Sequence, residues 1–131
     1  MTLKRNRVDE ERGQTMAEFA IVLPILAVLL FGVIQFGIVF NNYVTLTDAV
    51  RAGARAAAVS RQASDPTGTA TAAVRSSATD LNQTNLGVSV SSTWSPGAPV
   101  TVTATYPYSI KLLGWVIKTG NLTSKTTEAV E

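Results

Sequence analysis

The chain has 131 residues, of which 46% are hydrophobic and only 15% charged, and its formal net charge is +2. It contains neither Cys nor His, which excludes disulfides, thiolate metal sites and imidazole general bases. The seven Lys and Arg beyond residue 40 are scattered, so no basic run points to nucleic acid.

Residues 1–13 are short and polar, with Lys4, Arg5, Arg7 and Arg12 set against Asp9, Glu10 and Glu11. Residues 19–40 then carry no charge, and Gln35 is their only strongly polar side chain. At ~1.5 Å per helical residue this run reaches about 33 Å, enough to cross a hydrocarbon core of roughly 30 Å. Basic residues before a first apolar segment hold that end in the cytoplasm. Arg51, Arg55 and Arg61 follow on the other side, so the orientation rests more on the segment being first than on the charge count. A cleavable signal peptide would have an apolar region of only ~7–15 residues ending at a small-residue site. This run is longer, and Ala56-Ala57-Ala58 lies well beyond it.

Three features mark the run. Glu18 is a carboxylate set against its first apolar residue, Phe19, and an acid at the edge of lipid is costly unless partnered. Pro24 removes a backbone donor within the first two turns and is expected to kink or weaken the helix there. Gly32 and Gly37 permit close approach of a neighbouring helix, without forming a GxxxG pair.

The helical register continues past the span to residue 61. Leu46, Val50, Gly53 and Ala57 share one face, Ala49, Ala52, Ala56 and Val59 the adjoining one, and Arg51 and Arg55 the opposite side. A face so rich in Ala and Gly suits close helix packing, against other helices or against the chain's own outer domain. Ser64-Asp65-Pro66-Thr67-Gly68 is expected to break the chain. A second helix is expected over residues 70–81, with Ala70, Ala73, Val74, Ser77, Ala78 and Leu81 inward, ended by Asn82-Gln83-Thr84-Asn85.

Alternating patterns follow. Residues 88–91 and 100–106 predict two half-buried antiparallel strands around a turn at Ser95-Pro96-Gly97. Pro107 is expected to end the second strand. The apolar patch at residues 110–117 is expected to cover the sheet or lie near the bilayer. Thr119-Gly120-Asn121 is expected to turn the chain into a third strand over residues 122–130. Trp94, Tyr106, Tyr108 and Trp115 are read as core aromatics of a small sheet in preference to a carbohydrate-binding or membrane-interface surface, and the two glycosylation-type sequons at Asn82 and Asn121 as chance.

The expected fold class is therefore α+β: a long N-terminal transmembrane helix, then a small extracytoplasmic domain of one helix and an antiparallel β-sheet. The boundaries are 1–13 for the leader, 14–61 for the long helix with its span at 19–40, and 62–131 for the outer domain. Catalysis is not expected. A polar cleft would have to be assembled from Asp48, Asp80, Glu128 or Lys residues, whose spacing suggests none.

Arg12-Gly13-Gln14-Thr15-Met16-Ala17-Glu18-Phe19-Ala20, followed by Ile21-Val22-Leu23-Pro24, resembles the start of a TadE-like pseudopilin of the Tad/Flp tight adherence pilus machinery. Phe36-Gly37 and the block Leu46-Thr47-Asp48-Ala49-Val50-Arg51-Ala52-Gly53-Ala54-Arg55 agree with that family at the expected spacing. The resemblance implies that a prepilin peptidase cuts between Gly13 and Gln14 on the cytoplasmic side, and that Glu18 and Phe19 take part in processing and assembly. It implies further pilins or pseudopilins and the Tad inner-membrane platform as partners, no cofactor, and residence in the bacterial cytoplasmic membrane or the pilus. Gln35 stands where such proteins often carry an acid, and Asp9-Glu10-Glu11 dilutes the leader's basic character. Cutting after Gly13 would create an ammonium about one helical turn from Glu18, a counter-charge from the chain's own terminus or a neighbour's. The competing reading is an uncleaved signal anchor bearing an exported ligand- or wall-binding domain.

Overall fold

The computed structural model describes the backbone from residue 7 and the side chains from residue 11 onward. The cationic leader residues Lys4 and Arg5, and the side chains of Arg7, Asp9 and Glu10, lie outside the described residues.

Helix α1 runs unbroken over Arg7–Val59, with Pro24 inside it. It thus starts within the stretch read as a separate leader. Its apolar section is uncovered by the rest of the chain. Ile21, Val22, Leu23, Ile25, Leu26, Leu29 and Leu30 are all at least half exposed, and Val28, Phe31, Ile34 and Ile38 on the opposite side are 39%, 46%, 47% and 52% exposed, so no side of the helix is covered. By length and composition α1 can cross a membrane.

Beyond residue 45 the same helix becomes one wall of a small core. Leu46, Ala49, Val50, Ala54, Ala57 and Ala58 are buried, while Arg51 and Arg55 face out. Val59, expected on the packed side, is 67% exposed. Helix α2 spans Pro66–Ser77, four residues earlier at each end than the apolar periodicity suggested. The reason lies in Asp65-Pro66: the break after α1 falls at residues 60–65, and Asp65 and Pro66 then start α2. The Asp65 carboxylate accepts a 2.8 Å bond from Gly68 N, and Pro66 fills a first-turn position where its missing donor costs nothing. Ser77, expected inward, is exposed, while Ala70, Val74, Ala78 and Leu81 are buried.

Three antiparallel strands in sequence order, β1 (Gly87–Ser91), β2 (Pro99–Leu112) and β3 (Trp115–Ala129), form the second layer. The fold is α+β, as the sequence predicted. Alternation puts Val88 and Val90 of β1 opposite Ala104 and Val102 of β2 on the face that closes over α1 and α2. Thr101, Thr103 and Thr105 take the other face, where the Thr101 and Thr127 hydroxyls bond at 2.9 Å.

Two expected breaks are absent. Pro107 does not end β2, because β1 stops pairing at Thr105 and Pro107 pairs only with Asn121 of β3; with one neighbour, the strand there behaves as the edge that proline tolerates. Thr119-Gly120-Asn121 does not turn the chain. Gly120 lies opposite Tyr108, and a Cβ there would meet that ring at 2.9 Å, so the glycine makes room for the cross-strand aromatic. The apolar patch at 110–117 accordingly forms the end of one long hairpin whose turn is Leu113-Gly114.

Candidate functional site

The expected processing segment lies wholly within α1. Gly13 is helical, and a Cβ built there has nothing within 4 Å. Nothing in the fold requires glycine at this position, and glycine in an exposed helix costs about 1 kcal/mol relative to alanine. One turn on, Gln14 Nε2 donates to Glu18 Oε1 at 3.1 Å, and Thr15 Oγ1 donates to the Glu11 carbonyl at 2.9 Å. Glu18 and Phe19 are both exposed. The carboxylate therefore already has a partner on the residue expected to become the new terminus, directly before the uncovered apolar helix.

The five small residues read as packing positions divide into two sets. Ala49 and Ala57 are fully buried in the chain's own core. Gly53 faces α2 and β2: a Cβ there would collide with Val74 Cγ2 and stand 3.2 Å from the Ala70 carbonyl and 3.5 Å from Val102 Cγ1. These three serve contact within the molecule. Gly32 and Gly37 have nothing within 4 Å, so any close approach at either comes from another molecule. Nearby, Phe36 and Phe40 stack on each other at 6.3 Å between centroids.

The aromatics expected in the core also separate. Trp94 and Tyr106 are partly buried against it, and the Tyr106 hydroxyl accepts from Asn82 N at 3.2 Å. Trp115 is 80% exposed at the hairpin end and is not a core residue. The acids considered for a polar cleft stand on different elements. Asp48 approaches Arg51 at 3.5 Å on the exposed side of α1, Asp80 follows α2, and Glu128 is exposed on β3. Among the described residues no three His, Cys, Asp or Glu side chains are grouped as metal ligands.

Three features escaped the sequence reading. Asp65 caps α2, a role signalled by Asp-Pro before an apolar period. Arg75 donates to the carbonyls of Gln83, at 3.0 Å, and Leu86, at 3.4 Å, pinning the loop into β1, which no local pattern announces. The Leu113-Gly114 turn was hidden because the residues directly around it, Leu112 and Trp115-Val116-Ile117, are apolar.

With Gly13, Glu18, the uncovered span and the packed half of α1 placed, the chain can be set beside known proteins. Residues 13–55 match the TadE-like protein family model. The TadE-like match, about a third of the chain, opens on Gly13 and ends at Arg55, within α1. It covers the paired Gln14 and Glu18, the apolar section and most of the packed face, and it includes no part of the sheet. No curated protein and no solved structure matches the chain.

Proposed function

We propose that this protein is a single-pass, membrane-anchored pseudopilin of a Tad/Flp pilus system, acting as a minor subunit or assembly factor. A prepilin peptidase cuts it between Gly13 and Gln14. The observation that carries this reading is the coincidence of the TadE-like match with a Gln14–Glu18 pair at the threshold of a helix that its own chain leaves bare. After cleavage the Gln14 ammonium takes over as partner to Glu18, or pairs with that of a neighbouring subunit, offsetting the desolvation of the carboxylate. A glycine that the fold does not require supports the same reading, since it offers a soft, unobstructed peptide to an active site. The N-terminus is cytoplasmic and the α2–sheet domain extracytoplasmic. Gly32 and Gly37 let other pilins or the Tad inner-membrane platform approach the helix. The chain performs no chemistry of its own.

Mass spectrometry of the membrane-bound protein tests the proposal. Co-expression with the cognate peptidase should yield a terminus at Gln14, and a peptidase-deficient strain should retain Met1. A Met1 terminus beside active peptidase would overturn processing and leave an uncleaved anchor with an exported binding domain.

A further inference from the structure

Outside α1, the exposed large hydrophobic residues among the described residues are Leu113 at 70%, Trp115 at 80%, Val116 at 56% and Ile117 at 61%. All four sit at the end of the β2–β3 hairpin, with Lys111 and Lys118 beside them. An apolar cluster of this kind on an otherwise polar domain marks a contact surface.

The turn is built at a cost. Leu112 pairs with Trp115, leaving a two-residue loop in which Leu113 has φ 49° and Gly114 φ 87°. Tight hairpins of this kind favour Asn, Asp or Gly at both positions. Leucine in the left-handed region is strained, and it places its side chain at the very tip. A shift in register between Ile110 and Lys111 sets Ile117 outside the pairing and widens the apolar end.

The hairpin points back along α1 towards the apolar span. At its base, Gly97 N donates to Val130 O at 2.7 Å and Glu131 N to the Ala58 carbonyl at 2.9 Å, so the open end of the hairpin lies by the C-terminal end of α1. Further along β2, Val102 faces Gly53. β2 therefore runs antiparallel to α1. From Val102 to Leu113 the strand rises about 36 Å at ~3.3 Å per residue. From Gly53 back to Phe40, the edge of the span, the helix covers only about 20 Å. Tilted by as much as ~45°, the hairpin still advances about 25 Å. A straight hairpin of this length is therefore long enough to bring its tip level with residue 40, the edge of the apolar span.

We infer that the Leu113–Ile117 hairpin tip is a second membrane contact, inserting into the leaflet from which α1 emerges and holding the outer domain against the lipid surface. Trp115 has the amphipathic ring favoured at such an interface, and Lys111 and Lys118 suit anionic headgroups. The inference rests on α1 spanning the bilayer, as proposed above.

The absence of cysteine makes single-cysteine labelling unambiguous. Full-length L113C, with T103C on the polar sheet face as control, is reconstituted into vesicles containing phosphatidylglycerol and challenged with a membrane-impermeant maleimide after flotation. Labelling of L113C is expected to be about tenfold or more slower than that of T103C. A tenfold shift requires only ~1.4 kcal/mol, which burial of four apolar side chains exceeds. Charging the tip with W115E/I117E should restore the rate. Equal rates in floated protein would overturn the tip contact alone, whereas protein that fails to float would overturn the anchor as well. Protection that disappears on diluting the protein in lipid would assign the tip to another protein copy and also overturn the lipid contact.

Discussion

Gly53→Ala tests whether the small-residue face of α1 serves its own domain. The new methyl would collide with Val74 Cγ2 and crowd the Ala70 carbonyl at 3.2 Å. Val74 is fully buried and β-branched, so it has few rotamers into which to retreat, and α1 and α2 must separate slightly. Overpacking of this kind costs about 1–3 kcal/mol, and the gain in helix propensity returns about 1. The expected net loss is therefore ~1 kcal/mol, or roughly 4–8 °C in midpoint for a domain of this size. Thermal unfolding of the full chain in mild detergent reads it out through Trp94, made the sole tryptophan by W115F. Val74→Ala alone should cost about 2 kcal/mol, and the double variant should fall short of the sum by ~1, because the colliding methyl is gone. Gly32→Ala and Gly37→Ala, having nothing within 4 Å, should not lower the midpoint. A Gly53→Ala midpoint at or above that of the unaltered chain, with an additive cycle, would refute the close approach of the two helices.

Leu113→Asn should raise the midpoint, since asparagine tolerates the positive φ that costs leucine ~1 kcal/mol, while speeding maleimide labelling at a neighbouring V116C in vesicles. Asp65→Ala should cost about 1 kcal/mol by removing the acceptor for Gly68 N, with faster hydrogen exchange in the first turn of α2 as its local signature. Glu18→Ala should leave membrane insertion intact and reduce recovery of the protein with pilus components; undiminished co-purification would remove the assembly role of this carboxylate.

The α+β class, the bare span and the inward face of α1 were legible because each is written in local periodicity: 22 uncharged residues, a 3.6-residue apolar repeat, and Val–Thr alternation. The Gly13–Phe19 segment, being contiguous, falls inside the TadE-like match. Errors collected where a residue's meaning depends on a distant partner. Pro107 and Gly120 look like punctuation when read alone. They lie within strands because β1 ends before Pro107 and because Tyr108 occupies the space over Gly120. Trp115 has the composition of a core residue, and only its place past the turn leaves it exposed.

By itself, then, the sequence determined the order and type of the elements and the membrane-compatible span, since hydrogen bonding and burial within one element depend on neighbours along the chain. The tertiary structure alone decided that Gly53 serves internal packing while Gly32 and Gly37 face outward, and that the hairpin doubles back beside α1. Those outcomes depend on what the remainder of the molecule brings within a few ångströms, and that information is spread over residues as far apart as Gly53 and Val102.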